Sequence, residues 1–239
     1  MKLLYPISGL LFLALPMLAG DVHGRAVITG RFSKKALPPI VYSLRGTAAP
    51  AASSAAEPVN EFDRMVVMLE PKNAPRNAAK ENAVNNAPNV PRKPPASEVI
   101  QQQGAHFQPD LIVIPVGSSV DFPNLDPIFH QVFSLSKAQP FELGFYPQGQ
   151  SRTVKFNHPG VVQVYCHLHS NMYAAIVVTA SPWFQKPASD GSFSFEGVPA
   201  GRYRLSAWHK VAGLHKIDID VPESGSVEAV IRVPVDTEQ

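Results

Sequence analysis

The sequence has a single cysteine among its 239 residues, and only 17% of the residues are charged, for a formal net charge of +2. One cysteine cannot form an internal disulfide, so a disulfide framework is excluded. Because the lysines and arginines are few and scattered, we expect no electrostatic surface for nucleic acid. Beyond the N-terminus no apolar run approaches the roughly 18 residues of a membrane-spanning helix, so no span is predicted in the mature chain.

Familiar catalytic motifs are absent as well. The sequence contains no Gly-x-Ser-x-Gly, no phosphate-binding loop and no His-Glu-x-x-His. Its acidic residues show no pairing beyond the spacing of an ordinary surface. We therefore expect a protein that is not an enzyme and that has no small-molecule substrate.

Proline is abundant, with 24 residues, and aromatic and β-branched residues recur in short runs. Such runs favour strands, and frequent prolines favour irregular connections between them. Residues 101–180 show no helical periodicity of any length. Composition and pattern together predict an all-β protein.

The first twenty residues have the pattern of an export signal. Lys2 precedes a mostly apolar stretch, Leu3–Leu15, and small residues stand at Ala19 and Gly20. The pattern predicts a signal peptide at 1–20, cleaved near residues 19–20, and a periplasmic mature protein. A retained membrane anchor or a buried N-terminal helix stays open as the alternative, although the apolar stretch is short for a span.

Composition divides the rest of the chain into four segments. Residues 21–70 carry candidate strands, residues 71–98 are a Pro/Ala/Asn-rich linker, and residues 99–180 and 181–239 are rich in strand-like runs. The linker has too little apolar surface to offset the entropy of ordering it. In the first segment, strands are predicted at Val22–Thr29, Ile40–Leu44 and Met65–Leu69, and a loop at Thr47–Glu57.

Residues 99–180 are predicted to form one β-sandwich. Seven or so strands, separated by Pro/Gly turns such as Pro159-Gly160, fit into about 80 residues. The predicted strands lie within Phe107–Phe122 and at His130–Leu135, Phe141–Phe145, Arg152–Phe156, Val161–Tyr165 and Ala174–Thr179.

Residues 181–239 contain a second set of strands. The turn Asp190-Gly191 and a tight loop at Gly197–Gly201 separate candidate strands at Ser192–Phe195, Tyr203–Trp208, Ile217–Val221 and Val227–Val233. The segment Asp190–Leu205 resembles the signature of the small carboxypeptidase-regulatory-like, or transthyretin-like, β-sandwich.

That family begins with a Gly-led apolar strand and a second VVxL-type strand, which match Gly24–Ile28 and Val66–Leu69 far upstream. The resemblance implies that residues 21–70 and 181–239 form one sandwich and that residues 99–180 are inserted into it. Insertion at an exposed loop is tolerated by compact domains. The alternative is a row of separate domains in which the N-terminal strands pack on residues 99–180.

The segment GVVQVYCHLHSNM at 160–172 carries the candidate metal ligands. The predicted strand delivers Cys166, and a short loop then offers His169 and Met172 at intervals of three. A thiolate with imidazole nitrogens and a weak thioether is the ligand set of a mononuclear copper site for electron transfer. The alternatives for Cys166 are an intermolecular disulfide cysteine or a buried, inert thiol. An inert thiol beside two histidines would be unusual in an exported protein.

A further ligand must come from elsewhere in the sandwich, and His130 is the candidate because it begins a strand after the turn at 123–127. Met172 also fits a core position, and Asn171 or a backbone carbonyl remain alternatives for the axial place. His167 is expected to point away from the metal, toward the surface, where a docking role or a second, weak metal contact stays open.

These residues resemble the cupredoxin, or type 1 blue copper, family. The C-x-x-H-x-x-M spacing is that of amicyanin rather than plastocyanin, and Val116–Asn124 resembles the family's approach to the first histidine. The resemblance implies a cupredoxin Greek-key sandwich holding one type 1 copper on His130, Cys166, His169 and Met172. The whole chain is similar to exported methylamine-utilisation-type proteins, which pair this module with the transthyretin-like sandwich.

Two functions follow as hypotheses. The first is electron transfer between protein redox partners, with His169 at the exposed rim of the site and Pro127, Phe129 and Tyr173 as a docking face or as core residues. The second is copper binding and delivery, or an interaction role in the cell envelope, without redox turnover. Delivery proteins usually expose Met- and His-rich segments, and the linker at 71–98 has none.

Overall fold

The computed structural model describes residues 19–30, 60–72 and 93–234. The strand predicted at Ile40–Leu44 and the loop predicted at Thr47–Glu57 lie outside these residues, as do residues 1–18 of the predicted signal peptide and most of the linker.

Apart from one short 3-10 helix at Glu61–Arg64, the regular elements of the described residues are strands, so the all-β prediction is confirmed. None of the helices in the described ranges has the length and apolar character needed to cross a membrane. The strands are β1 Ala19–Thr29, β2 Met65–Pro71, β3 Ser97–Val99, β4 Gln101–Gln103, β5 His106–Gln108, β6 Leu111–Pro115, β7 Ser119–Asp121, β8 His130–Ser134, β9 Phe141–Tyr146, β10 Thr153–Lys155, β11 Gly160–Cys166, β12 Tyr173–Thr179, β13 Trp183–Gln185, β14 Ser192–Pro199, β15 Gly201–His209, β16 Gly213–Val221 and β17 Ser226–Pro234.

The first sandwich is formed by β3 to β12. Its larger sheet has the order β6-β12-β11-β8-β9, and its smaller sheet has the order β10-β7-β3, with the hairpin β4-β5 beside them. The side chains between the sheets form one apolar core that includes Phe122, Tyr146, Phe156 and Ile176. This sandwich presents the ends of β8 and β11 next to each other, and the candidate ligands lie there.

The second sandwich combines strands from both ends of the chain. β1 pairs in parallel with β17 and antiparallel with β14. β2 pairs antiparallel with β13 and with β15, and β16 completes that sheet. The chain therefore leaves this sandwich after β2, builds the first sandwich, and returns to it at β13.

The two sandwiches share a third apolar cluster. It joins Val66, Met68, Phe184 and Trp208 of the second sandwich to Leu111, Ala175 and Val177 of the first. In β2 the alternate residues Met65, Val67 and Leu69 face the second sandwich's own core. This two-sided burial explains why the MVVML run is continuously apolar rather than alternating.

Three strands reach into segments that were predicted to be signal peptide or linker. β1 begins at Ala19, where the cleavage site was predicted. β2 ends at Pro71 and β3 begins at Ser97, and both of these positions lie inside the predicted linker. The tight loop predicted at Gly197–Gly201 is shorter in the structure, because β14 continues to Pro199 and β15 begins at Gly201, so that Ala200 alone joins them. Pairing of Val198 with Gly20, together with full burial of Val198, outweighs the local glycine and proline signals.

Candidate metal centre

Strand pairing brings His130 and Cys166 together. β8 begins at His130 and β11 ends at Cys166, and the two strands are antiparallel neighbours with Cys166 opposite Val132. The backbone amide of His167 donates to the carbonyl of Gln131 at 3.1 Å, which ties the start of the following loop to β8. Neighbouring strand ends therefore carry the first two candidate ligands.

The candidate ligand atoms converge on the sulfur of Cys166. Its Sγ lies 3.6 Å from Nδ1 of His130 and 3.7 Å from Nδ1 of His169. Among the described residues, these three form the one group of His, Cys, Asp or Glu side chains whose ligand atoms all lie within 4.8 Å of one another. Bonds of roughly 2.0 Å to nitrogen and 2.3 Å to sulfur place two ligands of one ion roughly 3.5 Å apart, so the spacing fits a shared metal.

Asp126 sets the orientation of the His130 ring. One carboxylate oxygen, Oδ2, lies 2.9 Å from Nε2 of His130. The same carboxylate accepts from the backbone amides of Gly104 and Ala105, at 2.6 and 2.9 Å. A carboxylate at Nε2 favours the proton there and leaves the Nδ1 lone pair directed at Cys166.

The Asp126 carboxyl is held in its charged form by these contacts. Burial acts to raise its pKa, but the amides of Ala105 and Gly104 and the His130 ring outweigh burial and lower the pKa below its ordinary value. Asp126 is itself placed by a turn in which its amide donates to Oδ1 of Asn124 at 2.9 Å. Sequence analysis did not assign Asp126 a role; an acidic residue four positions before a candidate histidine ligand was the available signal.

His169 occupies the rim of the cluster and is partly exposed. Burial, and secondarily the nearby His130 ring, lower the pKa of His169, while Asp126 opposes the shift. Its ring lies 4.9 Å from that of His130, centroid to centroid. A lowered pKa favours the neutral imidazole, which is the form that binds a metal ion.

The loop 167–172 closes over Cys166. The amide of Cys166 donates to the carbonyl of Met172 at 3.3 Å, and the amide of Met172 donates to the carbonyl of His169 at 3.1 Å. The Met172 side chain is buried and packs in the core of the first sandwich. Met172 thus lies beside the cluster in a core position, and its role as a ligand stays a prediction.

Asn171 and His167 lie on the exposed side of this loop. The His167 ring packs edge-on against Phe133, with centroids 5.8 Å apart, and does not belong to the His130–Cys166–His169 group. Asn171 lines a cleft between the two sandwiches that Tyr173 and Lys210 also line.

Several exposed apolar residues are close to the candidate ligands in the sequence. The predicted docking residues Pro127 and Phe129 are exposed, whereas Tyr173 is half-buried beside the second sandwich. Sequence analysis missed Leu125, Ile128 and Leu168, which are exposed as well. These residues stand within a few positions of His130 or His169 in the sequence.

Comparison with known proteins finds partial likenesses. The family model for the beta-sandwich domain of ER membrane protein complex subunit 7 matches residues 167–239. A copper-containing nitrite reductase from Thermus scotoductus SA-01 is 26% identical over 36% of this chain and 22% of its own length, with a TM-score of 0.33. A reduced Cu(I) form of an amicyanin mutant is 17% identical over 35% of this chain and 82% of its own, also with a TM-score of 0.33.

No curated protein matches the chain. The chain spans about a fifth of the length of the nitrite reductase, and a TM-score this low carries no argument about function. The candidate metal centre is therefore defined by the positions and chemistry of this chain's own residues.

Proposed function

We propose that this protein is an exported mononuclear copper protein that transfers single electrons between protein redox partners. His130, Cys166, His169 and Met172 are assigned as ligands of one type 1 copper. The observation that carries the proposal is the approach of two imidazole Nδ1 atoms to one cysteine sulfur, at 3.6 and 3.7 Å.

The type of the donors favours copper over magnesium and calcium, and their burial suits a closed site. A thiolate, two imidazoles and a thioether form a soft set that suits copper, whereas magnesium and calcium need oxygen ligands. His130 is fully buried and Cys166 is 6% exposed, so water is largely kept from two of the ligands. Copper bound here supplies a one-electron couple, which is the chemistry of electron-transfer sites of this type.

The protein's part is to hold the ligands in place during the change of charge. Asp126 fixes the His130 ring, and the backbone hydrogen bonds of Cys166 and Met172 close the loop that carries the other ligands. Ligands held by outer hydrogen bonds move little when the charge at the site changes. This arrangement suits an electron carrier.

Transfer to a partner takes place at His169, which is the exposed ligand. We infer that a partner protein docks on the exposed apolar side chains next to the ligands in the sequence, which are Leu125, Ile128, Phe129 and Leu168. Small contact areas are typical of transient redox complexes, which must form and separate quickly.

Burial of the site argues against copper delivery as the function. A delivery protein must hand its metal to a receiver, which requires accessible ligands, whereas His130 and Cys166 are buried. Repeated oxidation and reduction of the copper-loaded protein in the presence of a Cu(I) chelator distinguishes the two functions. We expect the copper and the colour to survive each cycle, whereas release to the chelator on reduction would support delivery and contradict the proposal.

A further inference from the structure

The second sandwich places a lysine against the end of the candidate ligand loop. Lys210 follows β15, and its side chain is only 7% exposed although it is charged. Its Nζ forms an ion pair with Oδ2 of Asp110, just before β6 of the first sandwich. Nζ also lies 4.7 Å from the centroid of the Tyr173 ring, at the start of β12.

Tyr173 connects this lysine to the metal centre. It directly follows Met172, and it pairs across β11–β12 with Tyr165, the neighbour of Cys166. The two tyrosine rings lie 5.3 Å apart, centroid to centroid. The position of Tyr173 therefore determines where the C-terminal end of the ligand loop is anchored.

Lys210 is itself held firmly from both sides. Its backbone amide donates to the carbonyl of Arg64 at 3.0 Å, within the second sandwich. On the other side, the carbonyl of Asp110 accepts from the amide of Ala175 in β12 at 3.0 Å. Burial lowers the pKa of Lys210 and the Asp110 carboxylate opposes that shift, so the charged amine depends on this partner.

We propose that Lys210 is a positioning residue of the metal centre, through which the second sandwich holds the 167–172 loop closed over Cys166. A cation above an aromatic ring, paired with a carboxylate and shielded from water, fixes that ring in a way that an apolar side chain does not. The second sandwich thereby supports the ligand loop of the first sandwich. The proposal rests on the function proposed above, although its main test does not require a metal.

The test measures the rate at which the Cys166 thiol of the metal-free, full-length protein reacts with a coloured disulfide reagent under native conditions. In Lys210→Met the charge is lost while most of the side-chain volume stays, and we expect roughly a fivefold or larger increase in rate because the loop opens more often. Lys210→Arg keeps a cation over the ring and should react close to the wild-type rate. Lys216→Met, at an exposed lysine of β16, is the matched control and should leave the rate unchanged.

A rate for folded Lys210→Met equal to that of the wild type and of Lys216→Met would overturn the proposal. Should Lys210→Met not fold, Asp110→Asn removes the ion pair from the other sandwich and must raise the thiol rate in the same direction. Circular dichroism establishes folding of each variant.

The copper-loaded proteins give the second readout. We expect the visible spectrum of Lys210→Met to shift relative to the wild type and Lys210→Arg to restore it, which a purely structural role of Lys210 would not produce. A wild-type protein without a copper spectrum would contradict the proposed function alone, because the thiol rates of the metal-free variants still decide the role of Lys210.

Discussion

Asp126 shows how one residue outside the candidate ligand set prepares a ligand. Its carboxylate is fixed by two backbone amides and faces Nε2 of His130, so the ring has one orientation and one favoured tautomer.

Replacing Asp126 by Ala should weaken copper binding about 10- to 100-fold, because His130 loses the partner that orients it. Competition with a chelator of known affinity measures the effect. Asp63→Ala, at an exposed acidic residue of the 3-10 helix, is the control and should bind as the wild type does. Equal affinity in Asp126→Ala and wild type would show that the contact does not support the site.

The variant Met172→Leu tests whether Met172 is a metal ligand or a core residue alone. Leucine has nearly the same volume, so the fold should lose less than about 1.5 kcal/mol in free energy of unfolding. If the thioether is the axial ligand, its loss should raise the reduction potential, because the oxidised ion is stabilised less. Protein-film voltammetry measures the potential; an unchanged potential would assign Met172 to the core alone.

The element that carries Lys210 is the turn between β15 and β16, and a buried histidine shapes it. Nδ1 of His209 accepts from the amides of Val211 and Ala212, at 3.2 and 3.1 Å. On the other side of the ring, Nε2 lies 3.4 Å from a carboxylate oxygen of Glu61. The acceptor role of Nδ1 requires the neutral ring.

This turn should make stability depend on pH. Burial lowers the pKa of His209 below its ordinary value of 6.5, against the influence of Glu61. The stabilisation is therefore fully present above pH 6.5 and is lost as the pH falls through the lowered pKa of the folded state.

Urea unfolding of the metal-free protein between pH 8 and pH 5 tests this dependence. The wild type should lose more free energy of unfolding on acidification than His209→Gln, whereas the control His158→Gln, at an exposed histidine, should follow the wild type. Parallel pH profiles for the wild type and His209→Gln would contradict the assignment. His169 has a lowered pKa too, but it is present in all three proteins.

Among the secondary-structure elements, most strands of the first sandwich were predicted from the sequence to within a few residues. His130 at a strand start and Cys166 at a strand end were correctly placed, because alternating apolar runs bounded by Pro and Gly are local signals. The continuation of β14 through Gly197 to Pro199 was not predicted. It depends on pairing with β1, some 180 residues earlier in the chain, which no local pattern contains.

On the largest scale, the described residues form two sandwiches joined by a shared apolar cluster. Trp208 of β15 is 6% exposed and packs in this cluster with Leu111 and Val177 of the first sandwich. The apolar runs of β2 and β12 predicted two buried strands, but not that their outer faces meet each other. That contact and the Lys210–Asp110 pair join residues that are distant in the chain and that only folding brings together.

Trp208→Ala should therefore destabilise both sandwiches together. Removing a buried tryptophan costs about 3–5 kcal/mol in free energy of unfolding, and the shared cluster should keep the transition single. Calorimetry measures both quantities. Val230→Ala, at a half-exposed residue of β17, should change the free energy by no more than about 0.5 kcal/mol. Two separate transitions, with one of them unchanged by Trp208→Ala, would contradict a coupled molecule.

The central claim is that His130, Cys166 and His169 hold one copper ion with a thiolate ligand. Its most direct test is the optical and EPR spectrum of the purified protein titrated with Cu(II), with Cys166→Ser as the control. We expect an intense visible thiolate-to-copper band that saturates at one copper per chain, and no such band in Cys166→Ser. A colourless Cu(II) complex, or equal spectra for the wild type and Cys166→Ser, would contradict the account.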